Sequence, residues 1–314
     1  MRSVYVRMLL CGVLLLGGAV AARAADASPF TRIEDVIYGR KFGTALTMDV
    51  FTPKKEANGA AIVWVMSGGW HSDHAWIAPG PIAELLTRGY TVFAVVHGSE
   101  PKYTIPEAVG DMNRAVRFIR YHAKDYKIDP DRIGITGGSA GGHLSLMQGT
   151  AGDKGNPKAQ DAVDRTSSRV QAVACFFPPT DFFNYGAKGK EALGRGTLSG
   201  FKAPFDFHEF DPKTRTFKPV TDEKKIREIG RQISPIYHIS ADDPPTLIIH
   251  GDADHLVPIQ QAESFIAKLK EAGVPAKLVV KKGAGHGYWK DIDKDMVTIA
   301  DWFDKYLQKP DKHK

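Results

Sequence analysis

The stretch Gly137-Gly138-Ser139-Ala140-Gly141-Gly142 decides how the rest of this 314-residue chain is read. Before it, Arg132-Ile133-Gly134-Ile135-Thr136 is a short apolar, β-branched run of the kind that forms a buried strand. After it, His143-Leu144-Ser145-Leu146-Met147 opens a helix with no proline in it. The stretch matches the Gly-x-Ser-x-Gly pattern of a nucleophile elbow, in which serine occupies a strained turn between strand and helix and its hydroxyl points outward. The glycines have a mechanical reason. So sharp a turn brings strand and helix backbones together, and a Cβ at Gly137 or Gly141 is expected to collide. Glycine-rich serine turns also occur without chemistry, so the remaining residues must decide between a tight turn and a nucleophile.

Outward from the elbow, continuous apolar runs recur at 60–65, 91–96, 133–135, 170–176, 246–249 and 277–280. Strands apolar on both faces are buried on both faces, which predicts a parallel sheet between helical layers. Helical patterns separate the runs at 81–88, 106–126, 259–272 and 292–307. In the second of these, Ala108, Met112, Ala115, Val116, Ile119 and Ala123 form one apolar stripe, and Gly273 stands as the C-cap of the third. The alternation predicts an α/β fold with a mostly parallel central sheet and helices on both faces, its ligands held at the strands' carboxyl ends, where Ser139 sits. Residues 33–38 and 46–51 alternate as an antiparallel hairpin at the start. Between Pro178 and Ile239 no parallel strand is legible, yet Phe182, Phe183, Tyr185, Phe201, Phe205, Phe207, Phe210 and Phe217 fall there. A segment of that length predicts a lid-like insertion over about 178–239, some rings forming a core of its own and others facing a pocket.

Arg2 and Arg7 flank a short apolar run, Met8 to Val20, that ends in Ala22-Arg23-Ala24. This is the pattern of a signal peptide over residues 1–24, too short to span a bilayer, so the expectation is a secreted or periplasmic protein without a membrane anchor. Leu10, where a lipoprotein needs a small residue before Cys11, argues against lipidation. Residues 25–314 are long enough for one large α/β domain. Of the two cysteines, Cys11 leaves with the peptide and Cys175 stands in an apolar run, which excludes an internal disulfide or a cysteine cage. Loss of Arg2, Arg7 and Arg23 lowers the formal net charge from +6 to +3. No basic stripe with interleaved aromatics is present, which argues against nucleic acid as a partner. His71-Ser72-Asp73-His74 lacks a third ligand at metal spacing, so no metal is expected. The sequence carries no signal for an oligomeric state.

A serine hydroxyl needs a base to take its proton, and the base needs an acid to hold its tautomer. Asp254 follows the strand 246–249 in His250-Gly251-Asp252-Ala253-Asp254-His255-Leu256-Val257-Pro258, and His286 follows the strand 277–280 in Gly283-Ala284-Gly285-His286-Gly287. Asp252 is the rival acid; Asp254 is preferred because it opens the Asp-x-x-Val-Pro turn before a helix. An oxyanion hole is expected from the N–H of Ala140 and from Gly68 or Gly69 in Ser67-Gly68-Gly69-Trp70, after the strand 60–65. Trp70, Asp181 and Phe182 are candidates for substrate contact, with Trp76 beside them. His97 and His143 read as structural hydrogen-bonding histidines, and Asp111 as a brace for the elbow.

Ser67–Trp70, Gly137–Gly142, His250–Pro258 and Gly285-His286-Gly287 together resemble the α/β-hydrolase fold serine esterase/lipase superfamily, closest to carbohydrate-esterase-like and prolyl-oligopeptidase-like hydrolases. The serine, acid, histidine order is that superfamily's order. The resemblance implies a secreted serine hydrolase that cleaves carboxylic esters through an acyl-enzyme, without a cofactor. Ser139 would be the nucleophile, His286 the base and Asp254 the acid. It also implies a small-molecule or polymer-linked ester as substrate, such as an acetylated or feruloylated polysaccharide. Many relatives carry His-Gly-Gly-Gly-Trp where this chain reads Met66-Ser67-Gly68-Gly69-Trp70, so the histidine that anchors their oxyanion loop is absent. A prolyl-oligopeptidase-type exopeptidase is the rival reading. Such relatives carry a large β-propeller before the hydrolase domain, for which the few residues between signal peptide and first strand leave no room. A non-catalytic hydrolase-fold binding protein would be expected to lack a triad member, and none is lacking.

Overall fold

A computed structural model describes residues 28–287 and 289–308; the signal-peptide expectation falls outside the described residues. The chain opens with β1 (Phe30–Lys41) and β2 (Thr44–Pro53), antiparallel across a two-residue turn. Phe42 and Gly43 both take positive φ there, 46° and 77°, the handedness that matches the twist of paired strands. Then come β3 (Ala61–Met66), α1 (Ala83–Thr87), β4 (Thr91–Val96), α2 (Ile105–Tyr121), β5 (Ile133–Thr136), α3 (Ala140–Ala151) and β6 (Ala172–Phe176). The later elements are β7 (His208–Asp211), β8 (Thr216–Pro219), α4 (Glu223–Gln232), β9 (Thr246–Gly251), α5 (Gln260–Glu271), β10 (Ala276–Lys281) and α6 (Ile292–Leu307).

Eight strands form one sheet in the order β1-β2-β4-β3-β5-β6-β9-β10. β1 and β2 run antiparallel, and every pairing from β4 onward is parallel. The pleat sends alternate residues into two separate cores. Val63, Val65, Phe93 and Val95 pack with α2, α3 and α5, whereas Ile62, Met66, Val92 and Ala94 pack with α1 and α6. Burial of each Val, Ile, Met or Phe side chain among these contributes roughly 1.5–3 kcal/mol, so the two layers hold the sheet by packing. Among the described residues no helix is long and apolar enough to cross a membrane.

Two expectations change. Helix α2 ends at Tyr121 and not at 126, because the chain turns away through 122–127 and Lys127 adopts φ 55°. The insertion has no separate core: Phe182, Phe183, Tyr185, Phe205 and Phe207 join the same cluster as Val63 and Phe93. Only Phe210 and Phe217 stand outside it, where they pack on Phe42 at the tip of the first hairpin with ring centroids 4.7 and 5.1 Å away. The segment also contains α4 and the two-stranded sheet β7–β8.

Candidate active site

Ser139 lies between β5 and α3 with φ 53° and ψ −119°, a conformation that L residues rarely adopt. It is held there by its surroundings. Its N–H donates to Phe176 O at 3.0 Å, and Phe176 N–H donates to Gly137 O at 3.0 Å, lacing the turn to the end of β6. A Cβ at Gly137 would lie 2.7 Å from the Gly141 backbone, and one at Gly141 would lie 2.8 Å from Val65 O. Glycine at both positions lets the helix begin directly above the strand.

Ser139 Oγ is 2.9 Å from His286 Nε2, and His286 Nδ1 is 2.7 Å from Asp254 Oδ2. The network assigns the proton to Nδ1, which donates to the carboxylate and leaves Nε2 to accept from the serine. Asp254 is buried, and its Oδ1 accepts N–H bonds from Leu256 at 2.9 Å and Val257 at 2.8 Å. Burial alone would raise its pKa, but contacts with His250 and His286 and the Val257 N–H outweigh it and hold the carboxyl well below the usual range. Asp252 instead accepts Gly283 N–H at 2.6 Å and ties the two late loops together. Phe177 was not anticipated. It follows β6 at φ 34°, a genuine outlier for a bulky residue, and its ring lies edge-on to His286 with centroids 4.7 Å apart.

The oxyanion loop needs one correction. Gly68 N–H donates to His71 O at 2.9 Å and His71 N–H returns to Gly68 O at 3.0 Å, so the Gly68 donor is already used. Gly69 N–H and Ala140 N–H make no hydrogen bond among the described residues, which leaves that pair. Gly69 has φ 58°, and a Cβ there would meet the Phe201 ring at 2.7 Å. The missing loop histidine is replaced from the neighbouring strand. Ser67 Oγ donates to His97 Nε2 at 2.8 Å, while His97 Nδ1 donates to Gly98 O at 2.8 Å. Burial pushes His97 down to about 4, so it stays neutral. Asp111 braces this region and not the elbow, pairing with Lys41 at 2.6 Å and accepting Gly98 N–H at 2.8 Å.

Trp70, Asp181 and Phe182 are 4, 4 and 0 % exposed, so none offers a surface to a ligand here. Trp70 Nε1–H donates to His143 Nδ1 at 3.0 Å, and His143 Nε2–H donates to Ile233 O at 2.6 Å. Burial pushes His143 down to about 4 as well. Phe182 packs on Trp70 and Phe205, while Asp181 accepts the Phe183 N–H and the Tyr237 hydroxyl. Their polar and aromatic groups are consumed by the floor beneath the loop. Trp76 is the exposed aromatic instead, at 46 %, and a Cβ at Gly68 would touch its ring at 3.6 Å.

Asp35, Asp49 and His74 bring ligand atoms within 4.8 Å of one another. Asp49 is already engaged there, Oδ2 by Arg32 at 2.5 Å and Oδ1 by the Asp35 N–H and His74 Nε2, each at 3.0 Å. A cleft of about 800 Å³ runs between β1 and α2, lined by Arg40, Arg114, Arg117 and Asp161 among others, and includes none of Ser139, Asp254 and His286.

The family model described as BD-FAE matches residues 48–269. The chain belongs to the BD-FAE family. A model described as TAP-like protein also matches residues 227–314. With its mostly parallel sheet, this BD-FAE chain is an α/β-hydrolase of the esterase superfamily. It is 31% identical over 241 residues to a probable carboxylic ester hydrolase, LipM, of Mycobacterium tuberculosis, covering 76% of this chain and 51% of that protein. The chain thus spans about half the length of the curated relatives it matches. Among solved structures it is similar to a truncated carbohydrate esterase from gut microbiota, at 28% identity and TM-score 0.68, over 89% of this chain and 97% of that one. Esterase 2 of Thermogutta terrifontis in its native form is 25% identical with TM-score 0.66, over 89% and 95% of the two chains.

Proposed function

We propose that this protein is a serine hydrolase that cleaves carboxylic esters through an acyl-enzyme, and that it acts outside the cytoplasm on esters carried by polysaccharide. The mechanistic reading rests on one observation, the continuous hydrogen-bonded line from Ser139 after β5 through His286 after β10 to Asp254 after β9. Ser139 Oγ attacks the ester carbon as His286 Nε2 takes its proton, and ionised Asp254 stabilises the imidazolium. The carbonyl oxygen becomes an oxyanion that accepts from the N–H groups of Gly69 and Ala140, each worth about 3–4 kcal/mol in such a site. The tetrahedral intermediate then expels the alcohol, which takes the proton from His286. Water repeats the sequence on the acyl-enzyme, releasing the acid and restoring Ser139.

The substrate reading is supported by the carbohydrate esterase among the structural neighbours and by aromatic rings on both glycines of the loop. Trp76 lies half exposed against Gly68 and Phe201 against Gly69, flat apolar faces suited to a sugar ring or an aromatic acyl group. Location outside the cytoplasm is supported by the pattern of residues 1–24; N-terminal sequencing of the exported protein should begin near Ala25, and an intact Met1 in that fraction overturns it. The decisive experiment compares acetyl, butyryl and feruloyl esters with a dipeptidyl amide, on wild type and Ser139→Ala. Ester turnover that Ser139→Ala abolishes is the expected result. Faster turnover of the amide overturns the ester reading, and activity retained by Ser139→Ala overturns the mechanism.

A further inference from the structure

A second imidazole lies behind the Asp254–His286 pair, and the acyl-enzyme steps leave it without a task. His250, near the end of β9, is fully buried. Its Nε2 stands 2.8 Å from Val257 O and 3.4 Å from Asp254 Oδ2. Its Nδ1 is buried with no hydrogen-bond partner among the described residues. Because Nε2 faces only oxygen atoms, it carries the proton: the N–H donates to Val257 O and its positive edge faces the carboxylate. Nδ1 is then a bare acceptor, an arrangement that costs stability and that an apolar residue in this place would avoid.

The compensation lies in what Val257 does with its other end. Its N–H donates to Asp254 Oδ1 at 2.8 Å while its carbonyl accepts from His250. The imidazole therefore fixes the peptide that holds one carboxylate oxygen and also attracts the other, leaving Oδ2 aimed at His286. His250 is itself held rigidly, since β9 pairs with β10 and places it opposite Val280. Phe177 lies edge-on to His250 and to His286, with centroids 6.5 and 4.7 Å away, and closes this layer from one side.

We infer that His250 is a positioning residue for Asp254, a second histidine that holds the acid from behind through the Val257 peptide while His286 engages it in front. The kinetic consequence rests on the ester-hydrolase reading; the hydrogen-bond geometry does not. The test uses His250→Phe, which fills the space without a donor, His250→Gln, which restores an N–H of similar reach, and Asp254→Asn. His250→Phe should lower kcat on p-nitrophenyl acetate about 30-fold with KM within about twofold, the size expected when the hydrogen bond to Val257 O and the attraction of the same N–H for the Asp254 carboxylate are lost together. His250→Gln should stay within about fivefold of wild type. In the Asp254→Asn background His250→Phe should cost less than about threefold, because a residue acting through Asp254 has nothing left to position.

The proposal is overturned if His250→Phe keeps kcat within about threefold of wild type. An undiminished loss in the Asp254→Asn background, or equal losses in the Phe and Gln variants, overturns it too. The downfield proton resonance of His286 Nδ1–H supplies a readout free of substrate: it should move in His250→Phe and persist in His250→Gln. Should the Phe variant fail to fold, His250→Asn, too short to reach Val257 O, takes its place, and equal spectra for Asn and Gln overturn the proposal. A wild type that turns over no ester defeats the ester-hydrolase reading alone, while the proton resonance still decides the role of His250.

Discussion

Asp252 and Asp254 share one loop, and what separates them is which atoms each carboxylate reaches. Asp252 is exposed and spans to the Gly283 N–H, whereas Asp254 is buried, accepts two backbone N–H groups and presents Oδ2 to His286. Asp254→Asn is expected to lower kcat on the order of 10³–10⁴-fold by favouring the wrong imidazole tautomer. Asp252→Ala should leave kcat within about tenfold and cost about 1 kcal/mol in urea unfolding. Reversal of the two kinetic effects would move the acid to Asp252. At this scale the meeting of Ser139, His286 and Asp254 was legible because each stands directly after a strand end. Which of Gly68 and Gly69 keeps a free N–H was not, because it depends on a turn that spends the Gly68 N–H on His71. Nor was His97 as the anchor of the loop, since the Ser67 hydroxyl and the imidazole meet only once β3 and β4 lie side by side.

Elements were legible in proportion to how strongly burial wrote on them. Strands β3, β4, β6 and β9 are apolar on both faces and could be read directly, as could α6, whose bounds coincide with its apolar pattern. Helix α4 reads Glu-Lys-Lys-Ile-Arg-Glu-Ile-Gly-Arg-Gln, with only Ile226 and Ile229 to mark a face, and β7 and β8 have four residues each. The amphipathic pattern of α4 is written mostly in charges and buries little, and four-residue strands are too short to stand out, while the placement of the insertion's rings is decided by the core they join. The ring that matters most is Phe201, which reaches back to cover Gly69. Phe201→Ala should open space beside Gly69, one of the proposed oxyanion donors, and raise the butyryl-to-acetyl ratio of kcat/KM by about tenfold. An unchanged ratio would remove the insertion from acyl selection.

For the whole molecule, acid acts on buried imidazoles before it acts on carboxylates. His97 and His143 are pushed down to about 4 by burial, whereas unfolded histidines titrate near about 6.5. Below about 6.5 the unfolded chain binds protons that the folded chain refuses, so their contribution is complete above that pH and is lost as pH falls toward 4. Each is worth about 3 kcal/mol across this window. Asp254, held low, extends the loss below pH 4 in the same direction. Urea midpoints should therefore fall steadily between pH 6.5 and 4, and His143→Gln should flatten the slope. A midpoint independent of pH in that range would contradict the neutral, buried assignment of both rings.

The backbone of Ser139 carries a consequence beyond the catalysis proposed for it. At φ 53° and ψ −119° the fold itself would be better served by glycine, which relieves about 1–3 kcal/mol of strain against less than about 1 kcal/mol of added chain entropy. Ser139→Gly should thus melt above both wild type and Ser139→Ala, and a Ser139→Gly variant no more stable than Ser139→Ala would show the turn to be unstrained. On the proposed serine-hydrolase reading, selection for turnover and selection for stability pull in opposite directions at this one position. In a descendant released from the need to react, glycine is the residue toward which position 139 would drift.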